Sequence, residues 1–186
     1  MTIFRTNACH RSLVWFLFAL ACFVIVNRAV AVRNAENADV RDLLSQAAHE
    51  ASALDYDADQ MEALLRTDAS WETHAAMLDS VKEHVNELGR TIAKLQAERG
   101  QASAWQQQAI DRVLPLLQEL AANTTAAIRH LNQNQIRPVS GNYPEYLDEN
   151  AQTAHELARI ITATVEYGHT KAKLDKIQQT LGVASK

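Results

Sequence analysis

The chain has 186 residues, 47% of them apolar, with only 5 Gly and 3 Pro, which makes it too apolar for a disordered chain and too poor in turn residues for an all-β fold. Ala, Leu, Gln and Glu dominate its middle, and these are strong helix formers, so an all-α class follows. A formal charge of −4 argues against nucleic acid as a partner.

Residues 1–31 read as a signal peptide. Arg5 and Arg11 supply a positive start without any acid, and residues 13–26 form an unbroken apolar run of 14. As a helix that run would reach roughly 21 Å, short of a ~30 Å hydrocarbon core. Ala29-Val30-Ala31 then offers the small-x-small pattern of a cleavage site. Two alternatives stay open. One is an uncleaved anchor through residues 13–26, at the inner membrane; the other is a lipoprotein, since Ala19-Leu20-Ala21-Cys22 loosely resembles a lipobox with Ala19 where Leu is usual.

Both cysteines, Cys9 and Cys22, lie in this leader, and no Cys-x-x-Cys-His occurs. A protein cut after Ala31 therefore has no disulfide, no thiol chemistry and no covalent haem. Losing Arg5, Arg11 and Arg28 leaves 15 basic and 22 acidic residues, a formal charge of −7. The expected location is periplasmic or secreted, with membrane contact only if the leader is retained.

Residues 32–186 are expected to form one up-down-up-down antiparallel four-helix bundle, with helices at about 36–66, 70–99, 103–134 and 145–181. In the first, Val40, Leu44, Ala47, Ala51, Leu54, Ala58, Met61 and Leu65 recur at spacings of four and three, the 3.5-residue repeat of a helix packed along its length. Asp55-Tyr56-Asp57 is a candidate break, but the seam runs through it. Ser70 is a candidate N-cap with Glu72 suited to the helix dipole. Trp71, His74, Leu78, Val81, Val85, Leu88, Ile92 and Leu95 form the second seam, which ends near Gly100, a residue type that commonly terminates helices.

Ser103 and Gln106 fit a capping box opening the third helix. Ile110, Val113, Leu117, Leu120, Thr124, Ala127 and Leu131 are its seam, and Pro115 within it predicts a kink. Residues 132–144 contain Pro138, Gly141 and Pro144 and read as the one substantial loop. Leu147, Ala151, Ala154, Ala158, Ile161 and Val165 mark the fourth helix. Beyond Gly168 the pattern drifts to Leu174, Ile177 and Leu181, a stutter or the end of regular packing.

No catalytic constellation is present, and the chain is not expected to be an enzyme. Gly-x-Ser-x-Gly, a Gly-rich phosphate loop and His-Glu-x-x-His are all missing. Of the two Glu-x-x-His pairs a di-iron bundle needs, only Glu166 to His169 occurs, one place off the seam. Asn123-Thr124-Thr125 is a sequon within a helix with Thr124 on the seam, so no metal or glycan is expected. His74 and Met61 lie on facing seams at equal heights from the first turn, an arrangement that could hold a b-type haem. The plainer reading is that Met61 fills core space and His74 bonds to a neighbour. The amide-rich stretches at residues 105–108 and 132–135 could meet a partner.

Trp71-Glu72-Thr73-His74-Ala75, Lys82-Glu83-His84-Val85-Asn86, Trp105-Gln106-Gln107-Gln108-Ala109-Ile110-Asp111 and Asn123-Thr124-Thr125-Ala126 together resemble a group of exported helical proteins of soil bacteria. That resemblance implies export and helices, and brings no functional residue with it. In architecture the chain also resembles cytochrome b562-like four-helix bundles and periplasmic sensor domains, which bears on fold alone.

The expected function is that of an exported cell-envelope structural or interaction module, meeting an envelope protein or a second copy of itself. The alternative is a periplasmic ligand or cofactor carrier. In the expected topology Met61, Trp71, His74, His130, Tyr143 and Tyr146 gather at one pole, either as a docking site for a ligand or partner or as a seal over the end of the bundle.

Overall fold

A computed structural model describes residues 37–182. The leader, with its cleavage pattern and both cysteines, lies outside the described residues. Four helices follow in order: α1 (Ala38–Ala63), α2 (Trp71–Glu98), α3 (Ala104–Gln133) and α4 (Tyr143–Leu181). No strand occurs among the described residues.

Local chemistry sets the helix starts. The Asn37 side chain accepts from the N–H groups of Asp39 and Val40 at 2.9 and 3.4 Å, meeting two donors that the first turn of α1 leaves unpaired. Ser70 does the same for Thr73 at 3.4 Å. At α3 a capping box forms: Gln106 Oε1 accepts from the Ser103 N–H at 2.9 Å.

α4 begins at Tyr143, two residues before the expected start. Pro144 sits in its first turn, where a missing N–H costs nothing and a fixed φ helps; proline opened the helix instead of ending the loop. Gly100 also differs from expectation. It lies inside a 3₁₀ turn, Arg99–Gln101, and Gly141 and Gly182 are the glycines that take positive φ. Gly182 closes α4 in the left-handed conformation at φ 65°. α1 runs unbroken through Asp55-Tyr56-Asp57, and α3 continues through Pro115.

The seams became the core. Val40, Leu44, Ala47, Ala51, Leu54, Ala58 and Met61 are buried in α1, and Leu78, Val81, Val85, Leu88, Ile92 and Leu95 in α2. They meet Ile110, Val113, Leu117, Leu120, Ala127 and Leu131 of α3 and Leu147, Ala154, Leu157 and Ile161 of α4. Each fully buried Leu or Ile contributes about 1.5–3 kcal/mol. The principal packing is α1 with α2, α2 with α3, α3 with α4 and α4 with α1, the closed ring of an antiparallel bundle. Leu65, Trp71 and Val165, expected on the seams, are only half-buried, because each stands where its helix leaves the stack.

α4 outlasts its neighbours. Its contact with the start of α3 is at Tyr167, and from His169 to Leu181 no residue is buried. That extension of 13 residues reaches roughly 20 Å past the bundle.

Candidate functional site

The pole beneath the α3–α4 loop is built by a turn. The Tyr143 N–H donates to Ser140 O at 3.2 Å, and Gly141 takes φ 54°, a backbone shape that L side chains resist. A Cβ at Gly141 would also stand 3.4 Å from Cε1 of His130. The turn delivers Tyr143 into the first turn of α4 with its side chain fully enclosed.

Three of the expected pole residues touch. Tyr143 Oη and His74 Nδ1 share a hydrogen bond of 3.2 Å, with ring centroids 5.5 Å apart and planes 68° to one another. On its other side Tyr143 stacks with His130 at 5.4 Å and 23°, and Ser140 Oγ lies 3.5 Å from His130 Nε2. Met61 is buried, while Trp71 and Tyr146 are half-buried against the core. The six stand at one end of the bundle, with Trp71, His130 and Tyr146 half-buried and the others enclosed. His74 and Tyr143 are both 0% exposed. Their geometry is that of a plug.

Burial also fixes their protonation. Desolvation lowers the pKa of His74 and raises that of Tyr143, so both are neutral around pH 7. His74 Nε2 has no hydrogen-bond partner. A neutral, enclosed imidazole against a neutral phenol is not arranged for proton transfer to an outside substrate. Among the described residues no group of three or more His, Cys, Asp or Glu side chains is placed to hold a metal ion. Glu166 and His169 are exposed on α4.

The remaining histidines among the described residues sit on helix faces. His84 Nδ1 lies 3.1 Å from Asp57 Oδ2, which also accepts from Ser80 Oγ at 2.5 Å, a clasp between α1 and α2. His155 stands 3.5 Å from Asp55. Burial of the Asp55 carboxyl, aided by the nearby Asp59, raises its pKa against the opposing pull of His155.

Two features escaped the sequence reading. About two helical turns in from the plug, Thr124 and Asn150 are each 2% exposed, and Thr124 Oγ1 and both polar atoms of the Asn150 side chain lack partners. Their chain neighbours Asn123 and Glu149 are hydrogen-bonded across α3 and α4 at 2.8 Å. No apolar pattern marks such a layer; Thr124 on a seam was the one hint.

The second is a groove of about 350 Å³ between α3 and α4, at the end opposite the plug. Trp105 and Tyr167 stand edge to face at 5.3 Å, and Arg112, Arg159, Gln108 and Ile160 complete the walls. The amide-rich stretch at residues 105–108 divides here. Gln106 is fully buried and donates to Asn37 O at 3.2 Å, whereas Gln108 reaches the groove. The spacing by fours of Arg159, Ala163 and Tyr167 was the available signal, hidden because these residues are polar, small or half-exposed. No family model, curated protein or solved structure matches this chain.

Proposed function

We propose that this chain is an exported cell-envelope helical bundle acting as a structural or interaction module. The observation that carries this reading is the α4 extension. Tyr167, Leu174, Ile177 and Leu181 recur at spacings of seven, three and four, yet are 53%, 53%, 46% and 69% exposed. A run of large apolar side chains along one helix face, outside any core, is the kind of surface that another surface covers. Export is supported by the sequence of residues 1–31, and no helix among the described residues is long and apolar enough to cross a membrane.

A photocrosslinking residue at Leu174 tests this in the cell envelope, with one at Gln152, on the outer face of the bundle body, as control. Adducts from position 174 and none from 152 are expected. No adduct from either, together with specific turnover of a small molecule by the purified protein, would overturn the proposal.

One observation favours a second reading, a ligand or b-type haem carrier. Tyr143 engages Nδ1 of His74 and leaves the buried Nε2 unpaired, a nitrogen suited to axial ligation, with Met61 buried across the α1–α2 turn. An absorption spectrum without a Soret band, unchanged by added haemin, removes it.

A further inference from the structure

The stripe on the α4 extension continues a face that begins in the groove. Tyr167 belongs to both, and Arg159, Ala163 and Tyr167 precede Leu174 on one side of the helix. Basic residues recur along this face, and Glu156 and Glu166 lie on it with them. The groove is lined by Arg112 and Arg159 and by no carboxylate. Glu156 beside it is clamped by Arg159 at 2.6 and 2.7 Å and lies within electrostatic reach of Arg112 as well.

Farther along, Lys171, Lys173, Lys176 and Lys186, four of the chain's six lysines, fall in the last 16 residues, with Asp175 the one acid there. Residues 32–170 by contrast carry 11 basic and 21 acidic residues. At about 100° per residue Lys171 and Lys173 fall on opposite flanks of the Leu174–Ile177–Leu181 stripe. Lys171 also reaches Asp175 at 2.6 Å. Apolar centre, basic flanks and aromatic residues at one end are the composition of a helix lying in a lipid–water interface.

Position agrees with composition. Asn37 is bonded through its backbone to Gln106, next to Trp105, which meets Tyr167. The chain therefore enters the bundle at the pole from which α4 leaves. A coiled coil with a second copy would need three to four heptads, and the stripe supplies about two.

We propose that the outward face running from the α3–α4 groove along the α4 extension docks on anionic phospholipid. Leu174, Ile177 and Leu181 enter the acyl boundary, Tyr167 and Trp105 lie at headgroup level, and Arg112 and Lys173 meet the phosphates. This rests on the interaction reading above and names what the surface interacts with.

The test is amide hydrogen exchange on the full chain with vesicles of phosphatidylcholine alone or mixed with phosphatidylglycerol. Reading the extension separately keeps any insertion of the leader out of the result. Residues 169–181 should be protected on the mixed vesicles only, and added salt should reverse the protection. Each basic residue near an anionic surface is worth roughly fivefold in affinity, so Lys173→Glu should weaken binding at least about fivefold. Leu174→Asp with Ile177→Asp should abolish it while leaving the melting temperature unchanged, both side chains being exposed.

Unchanged exchange with either vesicle, or equal protection on both, overturns the lipid assignment. So does a dimer in lipid-free sedimentation that the Leu174→Asp, Ile177→Asp pair dissolves, because a second copy would then cover the stripe. If vesicle protection fails while position 174 still crosslinks in the envelope, the interaction module stands and its lipid partner falls. If both fail, so does the wider reading.

Discussion

His74 fits its place only as a neutral ring. Burial lowers its pKa, whereas the imidazole of an unfolded chain titrates near 6.5. Between those two values the unfolded chain binds more protons, so this contribution to stability is intact above about pH 6.5 and is lost as pH falls below it, at up to about 1.4 kcal/mol per pH unit. Urea melts from about pH 7.5 to about pH 5 should show a steeper fall for the wild type than for His74→Gln, which has nothing to titrate there. Equal slopes would mean that the ring finds an acceptor when charged. Tyr143→Phe keeps the stacking with His130 but deprives His74 of its one bond, a loss of about 1–2 kcal/mol. At Asn150 the sign reverses. Leu matches Asn atom for atom in outline, and two buried polar atoms now lack partners, so Asn150→Leu should raise stability by about 1–3 kcal/mol in the same melts. A decrease would show that the amide is hydrogen-bonded, through water or to Thr124.

Helices were legible where both flanks pack. α1 to α4 each touch two neighbours over most of their length, and that demand imposes a regular apolar spacing which survives in the sequence. The up-down-up-down order alone places the start of α2, the end of α3 and the start of α4 at one pole, where His74, His130 and Tyr143 touch. Burial was harder to read, because it depends on how the chain crosses a pole. Trp71 begins α2 and is only partly buried against the core. Trp71→Ala should accordingly cost about 2 kcal/mol, below the 3–5 kcal/mol of an enclosed aromatic, as chemical denaturation will show. The groove stayed hidden for the converse reason. Arg112, Arg159 and Tyr167 serve no core and Trp105 packs only at its edge, so little holds them to a hydrophobic period, and only the pairing of α3 with α4 places them side by side. Gln106 was half legible: its spacing from Ser103 signalled a cap, but its full burial follows from Asn37, which is distant in sequence.

Across the whole molecule, polarity is divided between ends. One pole is closed by a neutral plug of aromatic and imidazole rings; the other carries the entering chain, the aromatic groove and the basic helix that leaves it. The same division has a mechanical side. α1 and α4 lie against each other, and both point their outer ends toward the pole where Asn37 and Tyr167 sit. Tension between the two ends of the chain therefore pulls these helices apart sideways, one layer of side chains after another, and never loads the layers together in shear. In an optical trap the bundle held by its termini should yield at low force in a series of small steps. Held instead through Asn37 and the α3–α4 loop, it should resist until it gives way in a single rupture. A protein tethered to something at both ends would thus act as a weak link that lengthens under load and zips closed once the load is gone.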